Sequence, residues 1–529
     1  MMLYHRFEAS AARYGTRTAL ELGGESYSYR RLAEMTESLA AHIHARSEGA
    51  HGRIGLMTGR SLLGFVGYLA VQRLGKSVVP LNPSFPQERT RQMLAASGAG
   101  LVVAEPGLTV PDVAGVRVLA VDPTSVPEPP PAPAPPLADA PEAEAYLLFT
   151  SGSTGAPKGV PIRQRHLSAF LDTVRDRFGL GPESRCSQFF DLTFDPSVFD
   201  LFAVWSAGAT LVVPNRNDLL RPVRFVTDNA LTHWYAVPSA ISRAQAGGRL
   251  LPGSMPSLRH SMFGGEALTW QQARAWRDAA PGSTLTNAYG PTEVTIFCSD
   301  VTLPADPGDW PDTPNGVVPI GLPYPGLEYA VFDESGQPAT EGELCVRGPQ
   351  RFDGYLDPEA NRGRFHPSPP PEGDSVVPED SWYRTGDRVT SVDGVPCFLG
   401  RVDHQVKVSG YRVEPGEIEA ALLSLPGVAL AVVVAVREDA DALGLYAVCV
   451  APSGDPAGLR TALVRDLPAY MVPRRVLTVD QLPCDANGKV DRRAVAELVR
   501  AALDRPVAVG AGRAVQGATA SSGERSRTS

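Results

Sequence analysis

Four hydroxyl residues, Thr150, Ser151, Ser153 and Thr154, share the ten-residue run TSGSTGAPKG with Gly152, Gly155, Gly159 and Lys158. An apolar AYLLF at 145–149 leads into it, the kind of sequence that ends a buried strand. Glycines let successive N–H groups face one anion, small hydroxyls add donors without bulk, and a lysine places a point charge beside it. The implied chemistry is binding of nucleotide phosphates. The spacing is not the Gly-x-x-x-x-Gly-Lys-Ser/Thr of a Walker loop, and alone the run would equally suit a flexible surface turn. A second candidate cation, Lys489, sits in an Asn-Gly-Lys turn near the C-terminus.

The flanking pattern shows what would hold this loop. From Arg53 to Glu105, strand-like runs (RIGLMT, SVVPLN, LVVAE) alternate with helix-like ones (SLLGFVGYLAVQRLG, QERTRQMLAASG), which predicts a parallel sheet covered by helices. PEPPPAPAPP at 127–136 reads as an extended linker delivering the chain to the loop. Alternation resumes in CSQFFDL, ATLVVP, HWYAVP, SLRHSMF and TLTNAYG, a second α/β unit. Short strand-like runs from Asn315 to Tyr355 predict a β-rich subdomain, and PSPPPEGD at 367–374 an exposed loop. Near Gly400 the character changes, and a separate small α/β domain is expected over 403–505 after a large domain over 1–402. It would hold a helix from Pro415 to Leu425 and a strand from Val428 to Val436. The tail at 506–529 has the composition of a disordered segment.

With 529 residues, 43% hydrophobic and 20% charged, the composition is that of a globular protein with room for several domains. A net charge of −9 without a Lys/Arg cluster argues against nucleic-acid binding. Six scattered cysteines (Cys186, Cys298, Cys345, Cys397, Cys449, Cys484) show no metal-ligand spacing and suit a reducing compartment. The longest apolar run, Val428 to Val436, is far short of a membrane span, and the N-terminus lacks an apolar signal core, so a cytoplasmic protein is expected.

Seven further segments stand in order along the chain: FDPSVFD (194–200), NAYGPTE (287–293), GELCVRGPQRFDGYL (342–356), YRTGD (383–387), GRVDHQVKVSGYRVEPGEIE (400–419), LPAYMVP (467–473) and NGKVDR (487–492). With the phosphate loop they resemble the superfamily of acyl-CoA synthetases, peptide-synthetase adenylation domains and luciferases, over nearly the whole length. The resemblance implies ATP and Mg²⁺, and a reaction joining a carboxylate to AMP. An anion attacking a polyanion needs its repulsion cancelled first. It implies Lys489 and Thr154 as catalytic residues and Glu293 as the metal ligand. Nucleotide contacts would come from Thr150, Ser151, Gly152, Ser153, Gly155, Lys158, Gly264, Gly265, Glu266, Asn287, Tyr289, Gly290, Thr292, Asp387 and Arg401. Within that set Tyr289 offers a ring face and Asn287 an amide to adenine, and Asp387 accepts from ribose hydroxyls. Asp403 would be the hinge on which a mobile small domain turns between adenylate formation and thiol attack. The segment led by Gly410 would then line the mouth for a phosphopantetheine arm, although Lys407 and Gly410 would also serve as plain hairpin residues.

Asp195 stands where amino-acid-activating relatives place a carboxylate against the substrate ammonium. It would also suit a helix N-cap before Pro196. The resemblance adds Pro196, Phe199, Tyr235, Met262, Gly264, Ala288, Ile296 and Phe297 as the rest of the pocket. Four large residues and no charge beyond Asp195 and Lys489 imply a small uncharged amino acid, alanine first, then glycine or serine, with proline as a further alternative. Only 37 residues (493–529) follow Arg492, so a stand-alone enzyme is expected, acting with a separate carrier protein in secondary-metabolite biosynthesis. The acceptor would be a carrier thiol or the amine of an aminoacyl group on a carrier. A short-chain carboxylate–CoA ligase would share every ATP motif, and a non-catalytic homologue is disfavoured by the intact Lys489, Glu293 and Asp387.

Overall fold

The computed structural model describes residues 1–47, 52–122, 133–152, 156–366, 377–437, 443–451, 455–483 and 490–503. Ser153, Thr154, Gly155, Lys489, the exposed-loop expectation at 367–374 and the tail expectation at 506–529 lie outside them, as does most of the proline-rich linker.

The first α/β unit is a six-stranded sheet of the described residues. Arg117–Ala120, Leu101–Ala104, Arg53–Met57, Ser77–Leu81 and Glu144–Thr150 run parallel, and Lys158–Arg163 returns antiparallel at the edge. Burial on both faces explains the unbroken apolar runs, as in LVVA, where all four residues are buried. The helix Leu62–Arg73 has eleven buried residues, and Ser61 caps it by accepting from Gly64 N–H.

The second unit is a nine-stranded sheet whose middle runs Ser299–Thr302, Thr284–Tyr289, His260–Gly264, His233–Ala236, Arg185–Ser187 and Thr210–Val212. Beyond it pair Thr18–Leu22 and Glu25–Ser28, which precede the whole first unit in the chain. Their partner Thr210–Val212 lies almost two hundred residues on, and nothing in local periodicity encodes that pairing.

The β-rich subdomain extends past Tyr355. Glu328–Phe332 and Glu341–Arg347 are joined by Phe365–His366, Trp382–Val392 and Val395–Arg401 in one five-stranded antiparallel sheet. Segment YRTGD belongs to an eleven-residue strand, so Asp387 is held by a ladder facing Arg401.

From Val406 the chain packs around apolar clusters of its own. Leu430–Arg437, Leu443–Val450 and Arg475–Val479 form a sheet, covered by Pro415–Leu423, Pro456–Asp466 and Arg492–Leu503. A separate hairpin, Val406–Val408 with Tyr411–Val413, projects from it. No helix among the described residues is long and apolar enough to cross a membrane.

Candidate functional site

The phosphate-loop candidate connects two antiparallel strands, with Thr150 paired to Lys158, and does not lead from a strand into a helix. A Cβ at Gly152 would collide with the Ala156 carbonyl, so only glycine fits that turn. Lys158 lies with Nζ 5.9 Å from the Tyr355 ring centre. Burial and the nearby Arg364 charge lower its pKa.

A recess of about 140 Å³ gathers Thr150, Ser151, Asp195, Pro196, Tyr235, Gly265, Ala288, Gly290, Thr292, Ile296, Phe297, Asp387 and Arg401. It adjoins a larger cleft of about 720 Å³ lined by Gly265, Glu266, Asn287, Tyr289, Asp387, Arg401 and Asp403, among others. Parallel strands deliver Thr150, Tyr235, Gly265 and Ala288 at or just past their carboxyl ends, where open α/β sheets leave a crevice, while Asp387 and Arg401 reach it from the antiparallel sheet.

Asp195 precedes the helix Pro196–Ser206 with φ −59° and ψ −29°, and its side chain makes no capping hydrogen bond. The capping alternative therefore fails, because a capping residue needs an extended backbone to turn its carboxylate onto the next N–H groups. Asp195 is buried, and no ion pair involves it among the described residues. Burial, reinforced by the Glu293 charge, pushes its acid up to about 7.

Behind it the rings of Phe199, Tyr235 and Phe297 pack edge to face with centroids 5.2–5.6 Å apart and close the floor. Phe199 and Met262 face a separate cavity of about 20 Å³ beyond that floor, and Gly264 ends its strand beside Ala288. Thr295 and Ile296, both β-branched, have φ of 58° and 74°. Such strain persists only where neighbours fix it, here partly through Thr295 Oγ1 donating to the Gln350 carbonyl at 2.6 Å.

Tyr289 donates its hydroxyl to Asp387 Oδ2 at 2.5 Å, and Arg401 donates to Asp387 Oδ1 at 2.8 Å. Arg401 also forks onto Asp403 at 2.7 and 2.8 Å. Burial alone would raise the Asp403 acid, but Arg401 outweighs it and the pKa falls. Asn287 donates its amide N–H groups to the Pro319 and Val318 carbonyls at 2.9 and 3.4 Å, and its buried Oδ1 has no partner among the described residues. Among the described residues that oxygen is what Asn287 has left to meet a base.

The hairpin and the helix after it, expected at the mouth of the site, also reach Glu293 and the phosphate-loop candidate, contacts the sequence reading did not anticipate. Arg412 Nη1 donates to both oxygens of the fully buried Glu293 at 2.8 Å, and the Tyr355 hydroxyl adds a third bond at 2.6 Å. Burial would raise the Glu293 acid, but Arg412 and Tyr355 hold it down to about 2. Ser151 Oγ donates to the Arg412 carbonyl at 2.9 Å, and Gly152 N–H to Glu417 Oε2 at 3.3 Å. Glu417 is also paired with the buried Arg89. Gly410 N–H donates to Glu266 at 2.6 Å, and a Cβ at Gly410, whose φ is 83°, would strike Val237. Tyr411 stacks on Tyr470 at 4.1 Å and meets Phe194 edge-on at 4.8 Å. The sequence gives no sign of these pairs beyond the residue types of GYRVEPGEIE, since Arg412 and Glu293 lie 119 positions apart.

No cluster of three or more metal-ligating side chains occurs among the described residues. Glu293 is instead a buried carboxylate that already attracts a cation, Arg412. That is the kind of donor Mg²⁺ takes together with phosphate oxygens.

Residues 7–356 match the AMP-binding enzyme family, and 417–489 match the AMP-binding enzyme C-terminal domain. Phosphinothricin tripeptide synthetase PhsC of Streptomyces viridochromogenes is 36% identical over 515 residues, which is 93% of this chain and 45% of that protein. Tyrocidine synthase 3 of Brevibacillus parabrevis is 33% identical over 518 residues, 93% of this chain and 8% of that protein. The chain thus spans less than half the length of these curated relatives. The Vibrio cholerae adenylation domain AlmE, solved in complex with glycyl-adenosine-5'-phosphate, superposes with TM-score 0.80 at 27% identity, covering 94% of this chain and 98% of that one. With the two α/β units meeting at a crevice and both parts matched in sequence, the chain belongs to the AMP-binding enzyme family and has the fold of an adenylation domain.

Proposed function

We propose that this chain activates a small uncharged amino acid with ATP, forming aminoacyl-AMP and releasing pyrophosphate. It then passes the aminoacyl group to a carrier-protein phosphopantetheine thiol, or to the amine of an aminoacyl group held on a carrier. The carrying observation is Asp195, a buried carboxylate without an ion-pair partner among the described residues, in a recess floored by three aromatic rings. A buried carboxylate is costly until a cation joins it, and a substrate ammonium would be that cation. The closed floor leaves room for a short side chain, so alanine, then glycine or serine, fits best. The glycyl adenylate in AlmE supports the same reading.

In this proposal Asp387 accepts from the ribose, Tyr289 and Asn287 Oδ1 meet adenine, and Thr150, Ser151 and Gly152 face the phosphates. Glu293 would hold Mg²⁺, which when bound neutralises phosphate charge. Asp403 is the hinge between a large domain (1–402) and a small one (403–505). The test is ATP–pyrophosphate exchange across the twenty amino acids and several β-amino acids, with propionate as the acid lacking an amine. Exchange with alanine and none with propionate is expected; the reverse would assign a carboxylate–CoA ligase.

The Asp195 acid also sets a pH dependence. With its pKa at about 7, it is mostly neutral at pH 6 and ionised at pH 8, and only the ionised form pairs with an ammonium. The KM for the amino acid should fall about tenfold over that interval, and Asp195→Asn should flatten the profile. For stability the sign is opposite: between the unfolded value near 4 and about 7 the native state holds the extra proton, so this group's contribution weakens as pH rises.

Phe199→Ala should open the recess toward the cavity behind it. Valine and leucine should then support exchange, at a stability cost of about 3–5 kcal/mol read from denaturant unfolding.

A further inference from the structure

Beneath the aromatic floor of the recess lies a second, polar layer. His233 and His260 stand two residues before Tyr235 and Met262 on neighbouring parallel strands, where they are register partners. A strand returns to the same face every second residue, so the imidazoles sit about 7 Å below those side chains along the strands. Their rings stack with centroids 6.0 Å apart at 11°. The hydroxyls of Thr284 and Thr286 meet His260 Nδ1 and Nε2 at 2.7 and 3.3 Å, which fixes that ring at both nitrogens. His233 Nε2 lies 3.0 Å from the Phe178 carbonyl, and because a carbonyl only accepts, this nitrogen carries the proton. Burial lowers the pKa of both histidines, that of His260 to about 4, so the layer is uncharged near neutral pH.

We propose that Phe178, held by His233 and His260, is a specificity-determining positioning residue that keeps Phe199 against Tyr235 and Phe297 and so sets the upper limit on the substrate's side chain. The inference rests on the proposed function, whose preference for a small amino acid it explains. Phe178 is 3% exposed, with its carbonyl tied to His233. Its ring stands edge-on to His260 at 5.3 Å and 78°, and edge-on to Phe199 at 5.6 Å and 88°. It does not line the recess, so it acts through Phe199 and not on the substrate.

A longer substrate side chain would need the floor to yield, and the space behind Phe199 decides whether it can. That void measures about 20 Å³ and is walled by Phe178, His233 and His260 among others. A cavity that admits a benzene ring is about 150 Å³, so the Phe199 ring cannot retreat while Phe178 stays in place. Phe170 closes a second direction, with its ring 6.3 Å from Phe199 and 5.4 Å from Phe297. Phe178 cannot give way in turn, because its backbone is bonded to one strand and its ring rests on a residue of the next. Close packing of this kind transmits the position of one ring to another.

The experiment is ATP–pyrophosphate exchange by the full chain with alanine and with valine, read as the ratio of their kcat/KM values. Both substrates draw on the same folded population, so a role confined to folding leaves the ratio unchanged. Phe178→Ala should raise the valine-to-alanine ratio by about tenfold, the scale on which an apolar pocket distinguishes a methylene or two. Phe178→Leu, which loses the ring edge and disturbs the fold less, should raise it by about threefold. In a Phe199→Ala background, adding Phe178→Ala should change the ratio by less than twofold, because the ring it holds is gone. Ratios within twofold of the unsubstituted protein in both single variants would overturn the proposal, as would the full gain in the Phe199→Ala background. Calorimetric Kd values for alanyl- and valyl-sulfamoyl-adenosine give the same comparison without turnover. A chain with no exchange activity would therefore sink the functional reading while the depth of its recess is still measured.

Discussion

Lys489→Ala is expected to lower aminoacyl-adenylate formation by about 10²–10³-fold, the usual consequence of removing one group that stabilises charge in the transition state. The reaction brings a carboxylate against a triphosphate, and one cation ~4 Å from a phosphate oxygen contributes about 4 kcal/mol at an effective dielectric of ~20. Lys489 lies outside the described residues, but the segment carrying it is bracketed. Asp491 N–H donates to the Pro483 carbonyl at 2.9 Å, and Arg492 pairs with Glu419 at 2.8 Å. Transfer from supplied aminoacyl-adenylate should suffer much less, because the phosphoryl chemistry is already complete. Single-turnover measurements of the two half-reactions check this, and equal losses in both would contradict a lysine that acts in the first alone.

Asp195→Ala should be comparably severe for amino acids and mild for acids without an amine. Removing one partner of a buried ion pair costs about 3–5 kcal/mol, because the other charge stays buried and unpaired, and that is a loss of about 10²–10³-fold or more in kcat/KM. The variant should nonetheless fold well. Its carboxylate makes no capping bond, and burial holds its acid up to about 7, so its removal relieves the native state of a desolvated group. Exchange kinetics with alanine and propionate, beside a thermal melt, separate the two effects. Undiminished activity toward alanine would refute ammonium pairing.

Much of the fold was legible because its signals are local. The alternation from Arg53 to Glu105 gave three buried parallel strands, and the helix expected from Pro415 runs to Leu423. The β-rich subdomain was read too short. Trp382–Val392 carries Tyr383, Thr385 and Asp387 in a motif whose residue types suggest chemistry, and Gly386 interrupts the β-branched pattern that marks a strand.

The spacing of TSGSTGAPKG, FDPSVFD, NAYGPTE and YRTGD by itself determined which functional groups this protein possesses, because donors, acceptors and charges belong to residue types and to short stretches of backbone. Only the tertiary structure decided which of them meet. It set Asp195 in a recess without an ion-pair partner among the described residues, made Phe199 part of an aromatic floor with Met262 behind it, and tied up the Asn287 N–H. It also brought Arg412 and Glu417 onto Glu293 and Gly152. Those contacts span more than a hundred residues, and their strength comes from burial, which no local pattern encodes.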